Sequence, residues 1–355
     1  GYPDKYDGER YYNVSANYMG TSTRAINSLA SGNLNGGDPL ARDMVAAVSA
    51  SETSGGFTVW LNQAAAHPGW LGTGSSPVLP NALYSNASGK GQTIALGDFN
   101  QDGYPDVVLG TRTGNATGKI EFWYNNGSGA FTFFRSYTAS GEVTSVAVAG
   151  FDANPYPDIV VGTKTAMDDR SGKLEIWLNN SGTSFTNSGL YTAGGKVTDI
   201  AVADMNGDNK RDVVAGVKSG LDAGKVELWI GDNSGHLNLG DSANTDHIPN
   251  CVAVGAIDYG NTSPDIVVGT SSRQVQVWFC DEDANSTSSI IPVFESWSDA
   301  NVGGVVTALA IGKIEAPWTM SSLDLLNDII CGTSVTATTG EIVIYLNPYV
   351  WSLTP

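Results

Sequence analysis

Oxygen-bearing side chains recur at two-residue intervals in residues 98–106, which read Asp-Phe-Asn-Gln-Asp-Gly-Tyr-Pro-Asp. Such side chains can converge on one point, and Gly103 permits the left-handed turn that folds a loop around an ion. Oxygen ligands without His or Cys indicate a hard cation, and a flexible cage favours Ca²⁺ over Mg²⁺. The segment therefore predicts a calcium site. Its candidate ligands are the side chains of Asp98, Asn100, Asp102 and Asp106 and the backbone carbonyl of Tyr104.

The same pattern recurs at residues 204–212, with Asn209 in the position of the glycine. Asn enters the left-handed region more readily than most other non-glycine residues, so the turn remains feasible. Carboxylates this close repel one another unless a cation lies among them, which favours an ion over an ordinary Asx turn. The predicted ligands of this second site are Asp204, Asn206, Asp208, Asp212 and the backbone carbonyl of Lys210.

Incomplete versions of the loop occur at the other equivalent positions. Residues 150–158 lack the first ligand, and residues 33–43 contain inserted residues. A further loop keeps only Asp258 before Asp265, and the last has Lys313 where the first Asp belongs. We expect weak, water-rich sites or none in these loops. The weaker metal candidates are Asp152, Asn154, Asp158, Asn33, Asn35, Asp38 and Asp43.

An apolar run led by Asp gives the sequence its repeat. The leading residues are Asp43, Asp106, Asp158, Asp212, Asp265 and Asp328. A strand that ends in an aromatic residue follows each run, and these residues are Trp60, Trp123, Trp177, Trp229, Trp278 and Tyr345. The Asp-led runs are apolar on both faces, which predicts strands packed between sheets, whereas most of the aromatic-ended strands alternate and are predicted to be half-buried. We interpret the repeated Trp as core.

Two further strands complete each repeat, one before the Asp-led run, as at residues 146–149, and one after the aromatic strand, as at residues 131–134. Four antiparallel strands per unit, repeated radially, describe the blades of a β-propeller. The predicted fold is therefore all-β, a six-bladed β-propeller of four-stranded antiparallel blades in one domain over residues 1–355. Its six repeats lie in residues 26–355. Residues 1–25 supply the outer strand of the last blade and close the ring.

Composition restricts the partners. The chain has 36 Asp and Glu against 18 Lys and Arg, a net charge of −18, which argues against nucleic-acid binding. No apolar run approaches a membrane span. Three cysteines are too few for a disulfide framework. Asn-x-Ser/Thr sequons fall mostly in predicted turns and favour an extracellular, glycosylated chain. They are Asn13, Asn86, Asn115, Asn126, Asn179, Asn261 and Asn285.

In its loops and its repeat the chain resembles the FG-GAP and VCBS repeat family, which includes the propeller of integrin α-subunits. The blades of that family carry calcium loops of the form Asp-x-Asn-x-Asp-Gly-x-x-Asp, the form of residues 98–106 and, with Asn for Gly, of residues 204–212. The resemblance spans all the repeats. It implies an extracellular, calcium-stabilised propeller used in adhesion, carbohydrate binding or assembly. Propeller-built polysaccharide lyases are also among the relatives.

No catalytic constellation accompanies these loops. His67, His236 and His247 lie in loop-like segments, away from any nucleophile turn or zinc-binding His pair. We therefore expect a secreted or cell-surface, non-catalytic calcium-binding module that serves adhesion or binds a carbohydrate or protein partner. Two alternatives stay open: a subunit that assembles with itself into an extracellular filament or surface layer, and a polysaccharide-degrading lyase or hydrolase. The repeated Trp lies in strands, which counts against a glycan in every blade.

Overall fold

Strands are the only regular elements in the part of the chain that the computed structural model describes. That part comprises residues 10–12, 25–36, 42–52, 54–61, 82–84, 89–257, 264–280, 293–294, 304–312, 328–334 and 340–345. Within it, no helix is long and apolar enough to cross a membrane. The fold is an all-β antiparallel propeller, as the repeat predicts.

The strands follow one another at the spacing of the repeat. The first half of the chain contains β1 (Arg10–Tyr12), β2 (Ala25–Gly32), β3 (Asp43–Ser49), β4 (Gly55–Trp60), β5 (Ala82–Tyr84), β6 (Lys90–Gly97), β7 (Asp106–Arg112), β8 (Lys119–Asn125), β9 (Phe131–Thr138), β10 (Glu142–Ala149), β11 (Asp158–Lys164) and β12 (Gly172–Asn179). The second half contains β13 (Phe185–Ala193), β14 (Lys196–Ala203), β15 (Asp212–Lys218), β16 (Gly224–Gly231), β17 (Leu237–Thr245), β18 (Pro249–Gly255), β19 (Asp265–Thr270), β20 (Val275–Phe279), β21 (Val293–Phe294), β22 (Val305–Gly312), β23 (Asp328–Ser334) and β24 (Gly340–Tyr345).

Consecutive strands pair into four-stranded antiparallel sheets. From the first sheet to the fifth the strand orders are β2-β3-β4-β5, β6-β7-β8-β9, β10-β11-β12-β13, β14-β15-β16-β17 and β18-β19-β20-β21. The predicted order of leading, Asp-led, aromatic and outer strand is thus confirmed in these sheets. The last sheet has the order β1-β24-β23-β22, and in it Arg10 lies opposite Ile344 and Tyr12 opposite Ile342.

The leading strand of each sheet packs against the leading strand of the next, from β2 through β6, β10, β14 and β18 to β22. Each of these strands has a bulge near its start, and the side chain of the bulged residue often bonds to the next leading strand. Asn27 Nδ2 donates to the Gly91 carbonyl at 2.5 Å, and Thr144 Oγ1 donates to the Val197 carbonyl at 2.7 Å. The bulges therefore fix the spacing between neighbouring sheets.

The core lies between the sheets. The Asp-led strands are buried on both faces, as predicted; Val107 and Val108 on β7 are fully inaccessible. Every Trp in the repeated position is also buried, with an exposed fraction between 2% for Trp278 and 8% for Trp177, so the interpretation of these residues as core is confirmed.

The aromatic-ended strands are not half-buried, and that prediction was wrong. Their polar positions hold Glu121, Glu175 and Glu227, whose exposed fractions are 0%, 1% and 1%. Neighbouring sheets cover both faces of these strands, and each of the three carboxylates accepts a hydrogen bond from the Trp two residues later. Glu175 accepts from Trp177 Nε1 at 3.0 Å and from the Ser140 amide at 2.7 Å. In these strands the polar residues that alternate with apolar ones form hydrogen bonds inside the propeller and do not face water.

Candidate metal centre

The loop between β6 and β7 gathers three of the predicted ligands around one turn. Asp98 accepts hydrogen bonds from the backbone amides of Asp102 at 3.0 Å and Gly103 at 2.9 Å. Asn100 Oδ1 accepts from the Asp102 amide at 3.0 Å, and Asp102 Oδ1 accepts from the Tyr104 amide at 2.9 Å. The backbone of the loop thus fixes the positions of the Asp98, Asn100 and Asp102 oxygens at the surface.

Left-handed residues close both complete loops. In the first loop Gln101 has φ 59° and Gly103 has φ 90°; in the second, between β14 and β15, Gly207 has φ 76° and Asn209 has φ 62°. Both turns thus have left-handed residues at the fourth and sixth positions, and the Gly is at the sixth position in the first loop and at the fourth in the second. The prediction that Asn209 adopts the left-handed conformation is confirmed.

The loop at residues 204–212 repeats the hydrogen bonds of the first. Asp204 accepts from the amides of Asp208 at 3.0 Å and Asn209 at 2.7 Å, and Asp208 Oδ1 accepts from the Lys210 amide at 2.9 Å. One contact is different, because Lys210 Nζ lies 3.2 Å from Asp208 Oδ2. An ammonium group here contacts a carboxylate that is predicted to bind the ion.

The last predicted ligand of each loop lies beneath the turn. Asp106 is fully buried; its Oδ2 accepts from the Phe99 amide at 3.0 Å and its Oδ1 from the Asn125 amide at 2.8 Å. Burial, together with the negative charges of Asp102 and Asp98, raises the pKa of Asp106 to about 7. Asp212 makes the same two bonds, to the Met205 and Gly231 amides, and burial raises its pKa also.

This buried Asp recurs in sheets whose loops lack the other ligands. Asp43 accepts from the Leu34 amide at 2.7 Å, and Asp265 accepts from the amides of Ile257 at 2.7 Å and Cys280 at 3.1 Å. Asp158 accepts from the amides of Phe151 and Asn179, both at 2.7 Å, and burial raises its pKa to about 6. At Asp106, Asp158, Asp212 and Asp265 the Asp that leads the repeat therefore joins its loop to the end of the aromatic strand, in complete and incomplete loops alike.

The weaker candidates differ from the complete loops. Asn154 donates to Asp152 from its backbone amide at 2.9 Å and from Nδ2 at 2.8 Å, which closes this turn through its own hydrogen bonds. Gly150 provides no carboxylate at the first position. Asn33 and Asn35 flank Leu34 beside buried Asp43. Asp38, Asp258 and Lys313 lie outside the described residues.

The donor chemistry of the complete loops fits a hard cation. Among the described residues no three His, Cys, Asp or Glu side chains form one metal-binding group, because each loop places two carboxylates at the surface and turns the third inward. Each surface loop adds an amide oxygen, and no nitrogen or sulfur ligand is needed. In the first loop the surface carboxylates of Asp98 and Asp102 lie close enough to buried Asp106 to raise its pKa. A divalent cation would offset that repulsion.

Two Asn residues that sequence reasoning missed connect these loops to the neighbouring sheet. Asn125 Nδ2 donates to the Leu34 carbonyl at 2.8 Å, and Asn179 Nδ2 donates to the Phe99 carbonyl at 2.9 Å. Both follow the repeated Trp by two positions, which was the available signal. In the fourth sheet Gly231 occupies this position, and the Gly235 amide instead donates to the Phe151 carbonyl at 2.9 Å.

The two described histidines make separate hydrogen bonds with carboxylates. His236 Nδ1 lies 3.2 Å from Asp232 in the β16–β17 loop, at the same face as the metal loops. His247 Nδ1 lies 3.1 Å from Asp222 at the opposite face. The structure therefore does not bring these two rings together, and His67 lies outside the described residues.

Residues 98–161 and 151–215 each match the family of FG-GAP-like repeats. Together these segments make up about a third of the chain and include both complete loops. The resemblance to FG-GAP repeats is confirmed for these residues. No curated protein matches the chain.

Solved structures share the fold at low sequence identity. A crystal structure of BBS1N in complex with ARL6DN, soaked with mercury, has a TM-score of 0.50 and 14% identity, and the match covers 95% of this chain and 97% of that one. A humanized mutant of Polycomb Repressive Complex 2 from Chaetomium thermophilum, bound to the inhibitor GSK126, has a TM-score of 0.51 and 10% identity over 92% of this chain and 68% of that one. At such identities the likeness concerns the fold alone.

Proposed function

We propose, from the FG-GAP-like repeats of residues 98–215, that this chain is an extracellular binding module whose propeller is stabilised by Ca²⁺. In this proposal the loops hold the ions, the faces and rim of the propeller bind a protein or glycan partner in adhesion, and the chain catalyses no reaction. The observation that carries it is the near-identical hydrogen-bonded geometry of the two complete loops.

We further propose that the sheets form a six-bladed ring closed by β1. The support is the pairing of β1, from the beginning of the chain, with β24 in the last sheet. Closure by the two chain ends would leave no open sheet edge at that point. Each loop ion would then stabilise one blade of a closed ring.

In the first site Asp98, Asn100, Asp102, Asp106 and the Tyr104 carbonyl would hold the ion, and the equivalent residues of 204–212 would hold the second. A bound Ca²⁺ supplies positive charge among carboxylates that otherwise repel one another. An ion held in this way would stabilise more than the loop itself, because Asp106 accepts a hydrogen bond from the Asn125 amide and so joins the loop to β8. An ion bound by the native loop alone stabilises the folded state by mass action.

Thermal unfolding with Ca²⁺ and with excess chelator tests the proposal. We compare the wild type with Asp98→Asn/Asp204→Asn, which keeps side-chain size and removes one charge from each loop. Two occupied sites should stabilise the wild type by about 2.7 kcal/mol each when free Ca²⁺ is about a hundred times the dissociation constant. The double variant should lose most of that response.

The matched control is Asp222→Asn/Asp241→Asn, which removes the same charge from residues outside the loops. It should keep the calcium response of the wild type. A wild type whose unfolding midpoint is the same in Ca²⁺ and in chelator would disprove the metal sites. If the wild type is instead more stable in Ca²⁺ than in chelator, screens for glycan and cell-surface protein partners are the next step.

A further inference from the structure

Cationic side chains are concentrated at the face of the propeller opposite the metal loops, which we call the cationic face. They stand at the ends of strands in the second to fourth sheets and are Lys90, Arg112, Lys164, Lys196 and Lys218. Their carboxylate partners are Glu52, Glu142 and Asp169. The loops and strand ends of this face also include the cations Lys119, Arg170, Lys173 and Lys225 and the carboxylates of Asp168, Asp222 and Asp246, so nine cations lie there against six anions, in a chain whose net charge is −18. The distribution of charge is therefore strongly asymmetric.

An ion-pair network crosses this face from the first sheet to the fourth. Arg112 lies 2.9 Å from Glu52 and 3.7 Å from Glu142. Lys164 lies 3.7 Å from Glu142 and 2.6 Å from Asp169. The network joins neighbouring sheets through ion pairs with the carboxylates of Glu52, Glu142 and Asp169.

Lys196 and the last ion pair show that the network does not neutralise the face. Lys218 shares Asp169 with Lys164, at 3.5 Å. Lys196 has no carboxylate oxygen within 4.0 Å in the described part of the chain. Burial lowers the pKa of Lys196, although the nearby charges of Asp169 and Glu142 oppose this shift. The cationic face therefore has unused capacity for an anionic partner.

Two apolar side chains project from the same face. Met167, in the β11–β12 loop, is 77% exposed, and Leu221, in the equivalent β15–β16 loop, is 84% exposed. Exposed apolar groups surrounded by polar ones are typical of a protein–protein contact. A saccharide surface would instead present an aromatic ring for stacking, so these aliphatic tips favour a protein.

The opposite face, which we call the loop face, has the complementary character. In the second to fourth sheets its loops contain two cations, Lys210 and Arg211, against the carboxylates of Asp98, Asp102, Asp152, Asp204, Asp208 and Asp232. Tyr104, 36% exposed, provides an apolar surface there. The six carboxylates and two cations give this face a charge of −4, which two bound Ca²⁺ ions would offset, so the complementarity is greatest in chelator.

We propose that a second copy of this chain docks its loop face onto the cationic face of the first. Both patches belong to the second to fourth sheets, so a translation along the axis of the propeller brings one over the other. A contact between two different faces leaves one of each free, and it can repeat into an open filament. This inference goes beyond the proposed function and does not require the ions.

Repulsion between copies of charge −18 opposes this contact at long range. At physiological ionic strength the Debye length is about 8 Å. Salt therefore screens the repulsion between distant charges on the two copies more than the attraction between groups in contact. We therefore expect association at about 0.15 M salt and its loss at about 1 M salt. Association is measured both in Ca²⁺ and in chelator, so that the result can be interpreted even if the loops bind no metal.

Sedimentation velocity over a concentration series tests the cationic face through Met167→Glu/Leu221→Glu. These side chains are exposed loop tips, so the change should not affect folding. The wild type should form species that grow with concentration, and the variant should associate at least about tenfold more weakly. The matched control is Leu190→Glu/Leu239→Glu, on β13 and β17, where the leucines are 51% and 53% exposed. It adds the same charge at the rim and should associate like the wild type.

Ala153→Lys/Ser234→Lys tests the loop face, with Leu190→Lys/Leu239→Lys as the rim control. Ala153 and Ser234 are exposed and lie outside the two complete loops. We expect the loop-face variant to lose association and the rim control to keep it. A wild type that stays monomeric at every concentration overturns the proposal. So does association that survives either face variant; survival in the loop-face variant alone would indicate pairing of two cationic faces.

Discussion

Asn179 donates a hydrogen bond from Nδ2 to the backbone carbonyl of Phe99 at 2.9 Å, across the boundary between the third and second sheets. Phe99 is the second residue of the first candidate metal loop. The Asn179 amide also donates to Asp158 at 2.7 Å, and Asn179 Oδ1 accepts from the Gly182 amide at 2.8 Å. One buried side chain thus ties its own sheet to the metal loop of its neighbour.

We predict that Asn179→Ala lowers the free energy of unfolding by about 2 to 3 kcal/mol, because it leaves buried backbone groups without their partners. The matched control is Asn180→Ala, whose exposed side chain bonds only to Ser184 and Thr186. It should change stability by less than about 1 kcal/mol. Urea unfolding measures both. Equal losses would mean that the link between the sheets contributes little.

Asp158→Ala isolates the anchoring role of the repeated Asp from metal binding, because its loop lacks the first ligand. It removes the acceptor for the Phe151 and Asn179 amides. We expect a loss of about 2 to 4 kcal/mol in chelator, from two buried amides left unpaired. Asp152→Ala, in the same loop, should cost less than half as much. The reverse order would show that the surface turn, not the anchor, holds the loop.

The repeat could be predicted from the sequence because its signals are local. The Asp-led strand, the following Trp and the left-handed turn each depend on residues within a few positions of one another. Strand order and the burial of Trp123 follow from that pattern and are confirmed. The same holds for the left-handed conformation of Asn209.

The environment of the polar repeat residues depends on the neighbouring sheet and could not be predicted in the same way. Glu121 alternates with apolar residues as a solvent-facing side chain would, yet the next sheet covers it. Asp106 has ligand spacing in sequence, and the structure adds two backbone amides from different elements. A second signal was present: the leading Asp occurs in every repeat, whereas the other loop ligands do not. That difference indicates a role independent of metal.

Lys210→Gln should strengthen calcium binding by the second complete loop. The Lys210 ammonium lies 3.2 Å from Asp208 Oδ2, where it competes with an ion for the carboxylate. We expect a dissociation constant several-fold lower, measured by calorimetry, because the variant removes one ion pair at a partly exposed site, and such a pair contributes at most about 1 kcal/mol. Arg211→Gln makes the same charge change at the next residue and is the control. An equal gain in both variants would attribute the effect to net charge alone.

Asp199 should make stability depend on pH. Its Oδ1 accepts from Ser145 Oγ at 2.9 Å and its Oδ2 from the Val252 amide at 3.0 Å, so it links the third, fourth and fifth sheets. Burial raises its pKa above the ordinary 3.8, although these hydrogen bonds oppose the shift. The folded state therefore prefers the protonated form.

The sign follows from linkage. The stabilising contribution of a raised pKa is complete below the unfolded value of 3.8 and is lost as pH rises through the folded value. The unfolding free energy of the wild type, relative to that of Asp199→Asn, should therefore fall with rising pH across that window, by up to about 1.4 kcal/mol per pH unit. Urea unfolding in chelator at a series of pH values measures the difference. Ser145→Ala removes a donor to the carboxylate, so it should raise the pKa further and extend the window to higher pH. A difference between wild type and Asp199→Asn that does not change with pH would contradict the raised pKa of this carboxyl group.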